Sequence, residues 1–191
     1  MGLKSDIEEF KDVWKESNIL FKEFILITTF LAFSSITSLA DTIFSWKGFI
    51  KDGIEFYKLW VHLPLIELMD YFGIHFKEVI VDDIIIFSIL IFSGIRVANI
   101  SQPDIPKSHK VMLYFIGIIV IYNAATLMNS GSEGELQDNY YYLFVILVIF
   151  LVVPIVVKMP NKLLWYTPIF IATIGTLVLG AINAGLNRTL L

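Results

Sequence analysis

The sequence predicts an all-α integral membrane protein of four to five transmembrane helices carrying an amphipathic interfacial helical hairpin. Of its 191 residues, 57% are hydrophobic and 15% aromatic, too apolar for an ordinary soluble globule. The charges that remain fall in short connectors between long uncharged runs, the pattern a bilayer imposes on a chain whose backbone polar groups have to be satisfied internally. There is no cysteine, which removes disulfides, thiolate metal sites and cysteine nucleophiles from consideration.

Residues 1–23 read as a cytoplasmic amphipathic helix. Ser5-Asp6-Ile7-Glu8 has the form of a capping box, and Ile7, Phe10 and Trp14 follow on one face, suited to dock a partner or to rest on lipid. Four Lys against six Asp and Glu in this stretch do not make the positive flank of a secretory signal, so the first apolar run is expected to remain in the mature protein.

The uncharged runs are 24–40, 84–95 (extendable to 100 past Arg96), 111–128, 140–157 and 163–186. Helical spans need about 17 to 25 residues. The first run is the shortest candidate at about 26 Å, yet its nine strong apolar residues favour insertion by roughly 4 kcal/mol.

Residues 41–83 interrupt the series. Sending them across the membrane would place Lys47, Lys51, Asp52, Glu55 and Lys58 in hydrocarbon, at a cost of roughly 12 kcal/mol or more. At 3.6 residues per turn, Lys47, Lys51, Glu55, Lys58 and His62 share one face, while Trp46, Phe49, Ile50, Tyr57 and Trp60 crowd the other. The expected arrangement is a helical hairpin on the membrane surface: a helix lying in the interface, broken at Leu63-Pro64, then a second short helix with Pro64 in its first turn that ends near Gly73. The competing arrangement packs these helices on the rest of the chain.

The bundle is assigned to residues 84–191. Ala172, Thr176, Gly180 and Ala184 recur every four residues on the last helix, the spacing that lets backbones approach closely, inward or against a second copy. Thr28, Ser35 and Ser38 fall loosely on one face of the first run, where they bond back to the preceding turn or, in a ring of copies, line a polar pathway.

Counting Lys and Arg over five spans gives nine on the N-terminal side and five on the other, which places the N-terminus in the cytoplasm and residues 41–83 outside; four spans also divide nine to five. No metal or cofactor is expected. His62, His75 and His109 lack ligand spacing, no nucleophile or phosphate-loop motif occurs, and Asp82-Asp83 reads as the acidic start of the next helix.

A small cysteine-free chain with this layout, and with "SWKGFIKDGIEFY" after the first span, resembles the membrane subunit of the Kiwa antiphage defence system. Four spans are the family's pattern, against five runs here. The resemblance implies a homo-oligomeric inner-membrane sensor of phage attack that holds a cytoplasmic effector acting on nucleic acid, while contacting none itself. The expected function is therefore a non-enzymatic membrane sensor or scaffold whose partners are the lipid bilayer, further copies and a cytoplasmic effector protein. The alternative is a pore-forming effector or channel.

Overall fold

A computed structural model describes residues 3–101, 106–130 and 161–188, together with positions 148, 152, 155 and 156. Among the described residues every regular element is helical: α1 (Leu3–Glu16), α2 (Ile19–Leu39), α3 (Asp41–Phe44), α4 (Phe49–Tyr57), a π-helical turn (Lys58–His62), α5 (Leu63–Tyr71), a 3₁₀ turn (Glu78–Ile80), α6 (Val81–Ser101), α7 (Lys107–Ser130) and α8 (Lys162–Arg188). Four of these, α2, α6, α7 and α8, are long and apolar enough to cross a membrane. The run 140–157 lies outside the described residues.

The first long apolar helix extends beyond its uncharged run at the N-terminal end. Asn18 caps α2, its Oδ1 accepting the Phe21 N–H at 2.9 Å, so the helix starts at Ile19 and carries Lys22 and Glu23 in its first turns. Its 21 residues then measure about 32 Å, enough for the hydrocarbon core. Charges near a helix end can extend along the axis to water, so Lys22 and Glu23 are compatible with a helix of spanning length.

Shared contacts set the helix directions. α2 and α8 run parallel: Phe21 shares a cluster with Leu164, Ala32 with Ala172, and Thr37 Oγ1 lies 2.9 Å from Thr176 Oγ1. α6 runs the other way, with Val97 beside Phe21 and with Ile85 and Ile89 beside Ala32. α7 is antiparallel to α6, since Lys110 Nζ reaches the Asn99 carbonyl at 3.3 Å while Ala124 packs on Phe87. Thus α7 and α8 point the same way, and the C-terminus of α7 lies at the opposite end of the bundle from the N-terminus of α8.

The small-residue face of α8 turns inward. Ala172, Thr176 and Gly180 are buried, but Ala184 is exposed and Asn183 is buried in its place. A step of four residues overshoots a 3.6-residue turn by about 40°, so three steps carry Ala184 out of the contact. Gly180 is required there: a Cβ on it would fall 2.8 Å from the Phe44 ring. Gly180→Leu is expected to destabilise the protein by about 1–3 kcal/mol, seen as a lower unfolding midpoint in detergent, whereas Ala184→Leu leaves the midpoint unchanged.

At the other end of α2, α1 closes the bundle. Asp6 Oδ2 meets Lys162 Nζ at 3.1 Å, and Phe10 and Trp14 pack against Phe21, Ile25, Val97, Leu164 and Trp165. The helix begins at Leu3, ahead of the capping box, so Ser5 lies within its first turn rather than at its cap. Of the three residues expected to dock a partner, Phe10 and Trp14 are half-buried in this chain's own packing, and Ile7 remains exposed.

Candidate functional site where residues 41–80 meet the bundle

Residues 41–80 sit at the end of α2 remote from α1 and are held to the long apolar helices at two points. The first follows directly on α2. α3 ends at Ser45, whose φ of 48° turns the chain back and presents Trp46 to the bundle. The Trp46 indole N–H donates to the Thr37 carbonyl at 2.8 Å, and its backbone N–H donates to Asp41 Oδ1 at 3.1 Å. From α8, the Asn183 amide spans the connector: Nδ2 donates to the Phe44 carbonyl at 2.8 Å, and Oδ1 accepts the Lys47 N–H at 3.3 Å. Trp46, Ile50 and Ile54 form a small core with Ala40, Phe44 and Leu179.

The second point is a buried chain of hydrogen bonds. The Tyr57 hydroxyl donates to Asp82 Oδ1 at 2.7 Å. With its one hydrogen so committed, Tyr57 accepts from Ser35 Oγ at 2.8 Å. Ser35 comes from α2, Tyr57 from α4 and Asp82 from the first turn of α6, so three elements meet on one phenol. Burial holds the Tyr57 hydroxyl far above an ordinary phenol's pKa, against the opposing Ser35 bond, and the Asp82 charge adds to the rise. Tyr57 therefore remains a protonated donor throughout the neutral range.

His62 completes the group. It is 2% exposed, its Nε2 stands 3.8 Å from Asp82 Oδ2, and neither ring nitrogen has a hydrogen-bond partner among the described residues. Its position depends on the π-helical turn. Pro64 has no N–H and its ring crowds the preceding turn of an α-helix; the wider turn, in which the Leu63 N–H reaches back to the Lys58 carbonyl, accommodates it. The additional residue in that turn rotates His62 away from Lys51, Glu55 and Lys58 and aims it at α6.

Two expectations for residues 41–83 are corrected here. Residues 49–71 form one continuous helical stretch through the π turn, with no reversal, so they do not make a hairpin; the second helix does carry Pro64 in its first turn and ends before Gly73, whose φ is 74°. Nor do the five aromatic and apolar residues share a face. Trp46 (3% exposed), Ile50 and Tyr57 point into the bundle, while Phe49 (64%) and Trp60 (65%) are exposed beside Phe56, Leu59 and Leu63. The stretch thus has three sides: one on the protein, one exposed and apolar, and one polar with Lys51, Asp52, Glu55 and Lys58.

The hydroxyl face of α2 is likewise turned inward. Thr28, Ser35 and Ser38 are buried; Thr28 Oγ1 bonds back to the Phe24 carbonyl at 2.8 Å and Ser35 serves Tyr57. Among the described residues no three His, Asp or Glu side chains come together, so His62 and Asp82 stand as a pair. Asn183 and the buried His62 have no local signature, although Pro64 within a helical pattern indicates a distorted turn just before it. Comparison of the chain with protein-family models, with curated proteins and with solved structures finds no match.

Proposed function

We propose that the protein is a non-enzymatic membrane sensor or scaffold subunit in which residues 41–80 respond to the outer membrane interface and the spanning helices carry the response to the α1 end. The observation that supports this reading is the chain Ser35–Tyr57–Asp82. Through it, a stretch with one lipid-suited flank is tied directly to two membrane-spanning helices. A force on Phe49, Phe56 or Trp60 bears on the Tyr57 hydroxyl, and from there on α2 and α6. π-helical turns occur frequently at functional sites, and this one places a buried histidine beside the latch.

In this reading the α1 end is cytoplasmic, which agrees with the distribution of Lys and Arg, and exposed Ile7 is available to an effector protein. The likeness to the Kiwa membrane subunit supplies the setting: a bacterial inner membrane, several copies of the chain, and defence against phage.

Trp60→Glu is the test. It places a charge on the exposed apolar flank without touching the latch, so the protein should stay in the membrane fraction after carbonate extraction and keep its unfolding midpoint. Phage should then plate on cells carrying it as they do on cells without the protein; full protection would overturn the proposal. Purified wild-type protein should be electrically silent in planar bilayers, and stepwise conductance would favour a pore instead.

A further inference from the structure

We propose that the groove between α2 and α4 binds one acyl chain of an anionic phospholipid, with the phosphate on Lys47. The groove has a volume of about 360 Å³, within the range of small-molecule sites, and its walls include Phe30 and Phe33 from α2 and Phe49 and Phe56 from α4. Gly53, itself exposed, lines it on the α4 side.

Gly53 is the telling residue. A glycine inside a helix is less favourable than alanine, and its usual uses are a positive φ or close backbone packing. Neither applies: α4 is regular through Gly53, and a Cβ built there meets no atom within 4 Å. Gly180 marks the contrast, since its missing side chain is filled by Phe44. Gly53 is exposed and lines the groove beside the buried Ile50, Ile54 and Tyr57, so its missing side chain leaves the groove open on that side.

Depth and charge identify the occupant. The groove follows α2 from Thr37, near the helix end, to Phe30, which at 1.5 Å per residue lies about 10 Å deeper. It therefore descends from the interface into hydrocarbon, as an acyl chain does. At its shallow end the Trp46 indole is bonded to Thr37, and the next residue is Lys47, exposed and without an ion pair among the described residues. A cation at that depth faces the layer of lipid phosphates and favours anionic lipid. The inference uses the membrane placement of α2 and is independent of any signalling role.

The test uses the full chain in a mild detergent, washed extensively, with bound lipid measured by mass spectrometry. The wild type should retain about one phospholipid per chain, enriched in anionic species. Gly53→Leu, whose Cβ has open space around it and whose side chain narrows the groove, should lose that lipid and keep or raise its unfolding midpoint. Equal lipid on both proteins would overturn the proposal. An arm that needs no variant uses vesicles containing a phosphatidylglycerol with a photoreactive acyl chain. Labelling should concentrate several-fold in 30–37 and 49–57 over the exposed Phe115 and Ile119 of α7; even labelling of both regions would overturn it. So would a cross-linked dimer formed through Phe56→Cys, which would assign the groove to a second copy.

Discussion

Replacing Trp46 by alanine should cost about 3–5 kcal/mol, the largest effect of any single substitution in residues 41–80. The side chain is nearly inaccessible and packs on Ile50, Ile54 and Phe44, whose ring lies 4.8 Å from its own. Truncation leaves a cavity between α3, α4 and α8 and also removes the indole donor from the Thr37 carbonyl. That carbonyl lies near the end of α2, where the last carbonyls lack helical partners, so losing the donor adds to the cost. The expected readout is a lower unfolding midpoint in detergent together with protease cleavage after Ser45, while α2, α6, α7 and α8 stay in the membrane. Trp46→Phe should recover most of the packing and not the hydrogen bond. Its deficit of about 0.5–1.5 kcal/mol then measures that bond.

Tyr57→Phe should have the next largest effect despite removing one oxygen atom. The buried Asp82 carboxylate loses its 2.7 Å donor and Ser35 loses its acceptor, so two buried polar groups are stranded at once. An unsatisfied buried group costs about 1–3 kcal/mol, and more when charged. Adding Asp82→Leu to Tyr57→Phe should restore much of the loss, because a cluster with both partners apolar strands no charge. A double-mutant cycle on unfolding midpoints measures the coupling. Additive effects would mean that Tyr57 and Asp82 do not share the bond. Hydrogen exchange should rise within 58–71 in Tyr57→Phe and stay unchanged in α7, which packs elsewhere.

Local sequence pattern carried the long apolar helices well, since α6, α7 and α8 each contain one of the uncharged runs and α2 contains all of the first but Ala40. It also carried Pro64 at the start of α5 and the stop at Gly73, because both residues act on the backbone within one turn. It did not carry the facing of residues 46–60. A 3.6-residue period holds only while the helix is unbroken, and here Ser45 and Gly48 have positive φ on one side and a π turn intervenes on the other. Trp46 and His62 therefore leave the faces that counting gives them. The latch was illegible for another reason: Ser35, Tyr57 and Asp82 are separated by 22 and 25 residues, and Thr37 and Thr176 by 139. Only tertiary packing brings such groups together.

Fluorescence quenching by phospholipids brominated on the acyl chain tests the placement of residues 41–80 most directly. The chain has four tryptophans, so single-tryptophan forms retaining Trp46 or Trp60 can be compared in the same vesicles. Trp60 should be quenched most by bromines near the glycerol end of the acyl chain, and Trp46, enclosed by α3, α4 and α8, should be quenched little by lipid and little by aqueous iodide. Strong iodide quenching of Trp60 with no effect of brominated lipid would put the exposed flank in water and contradict the interfacial position.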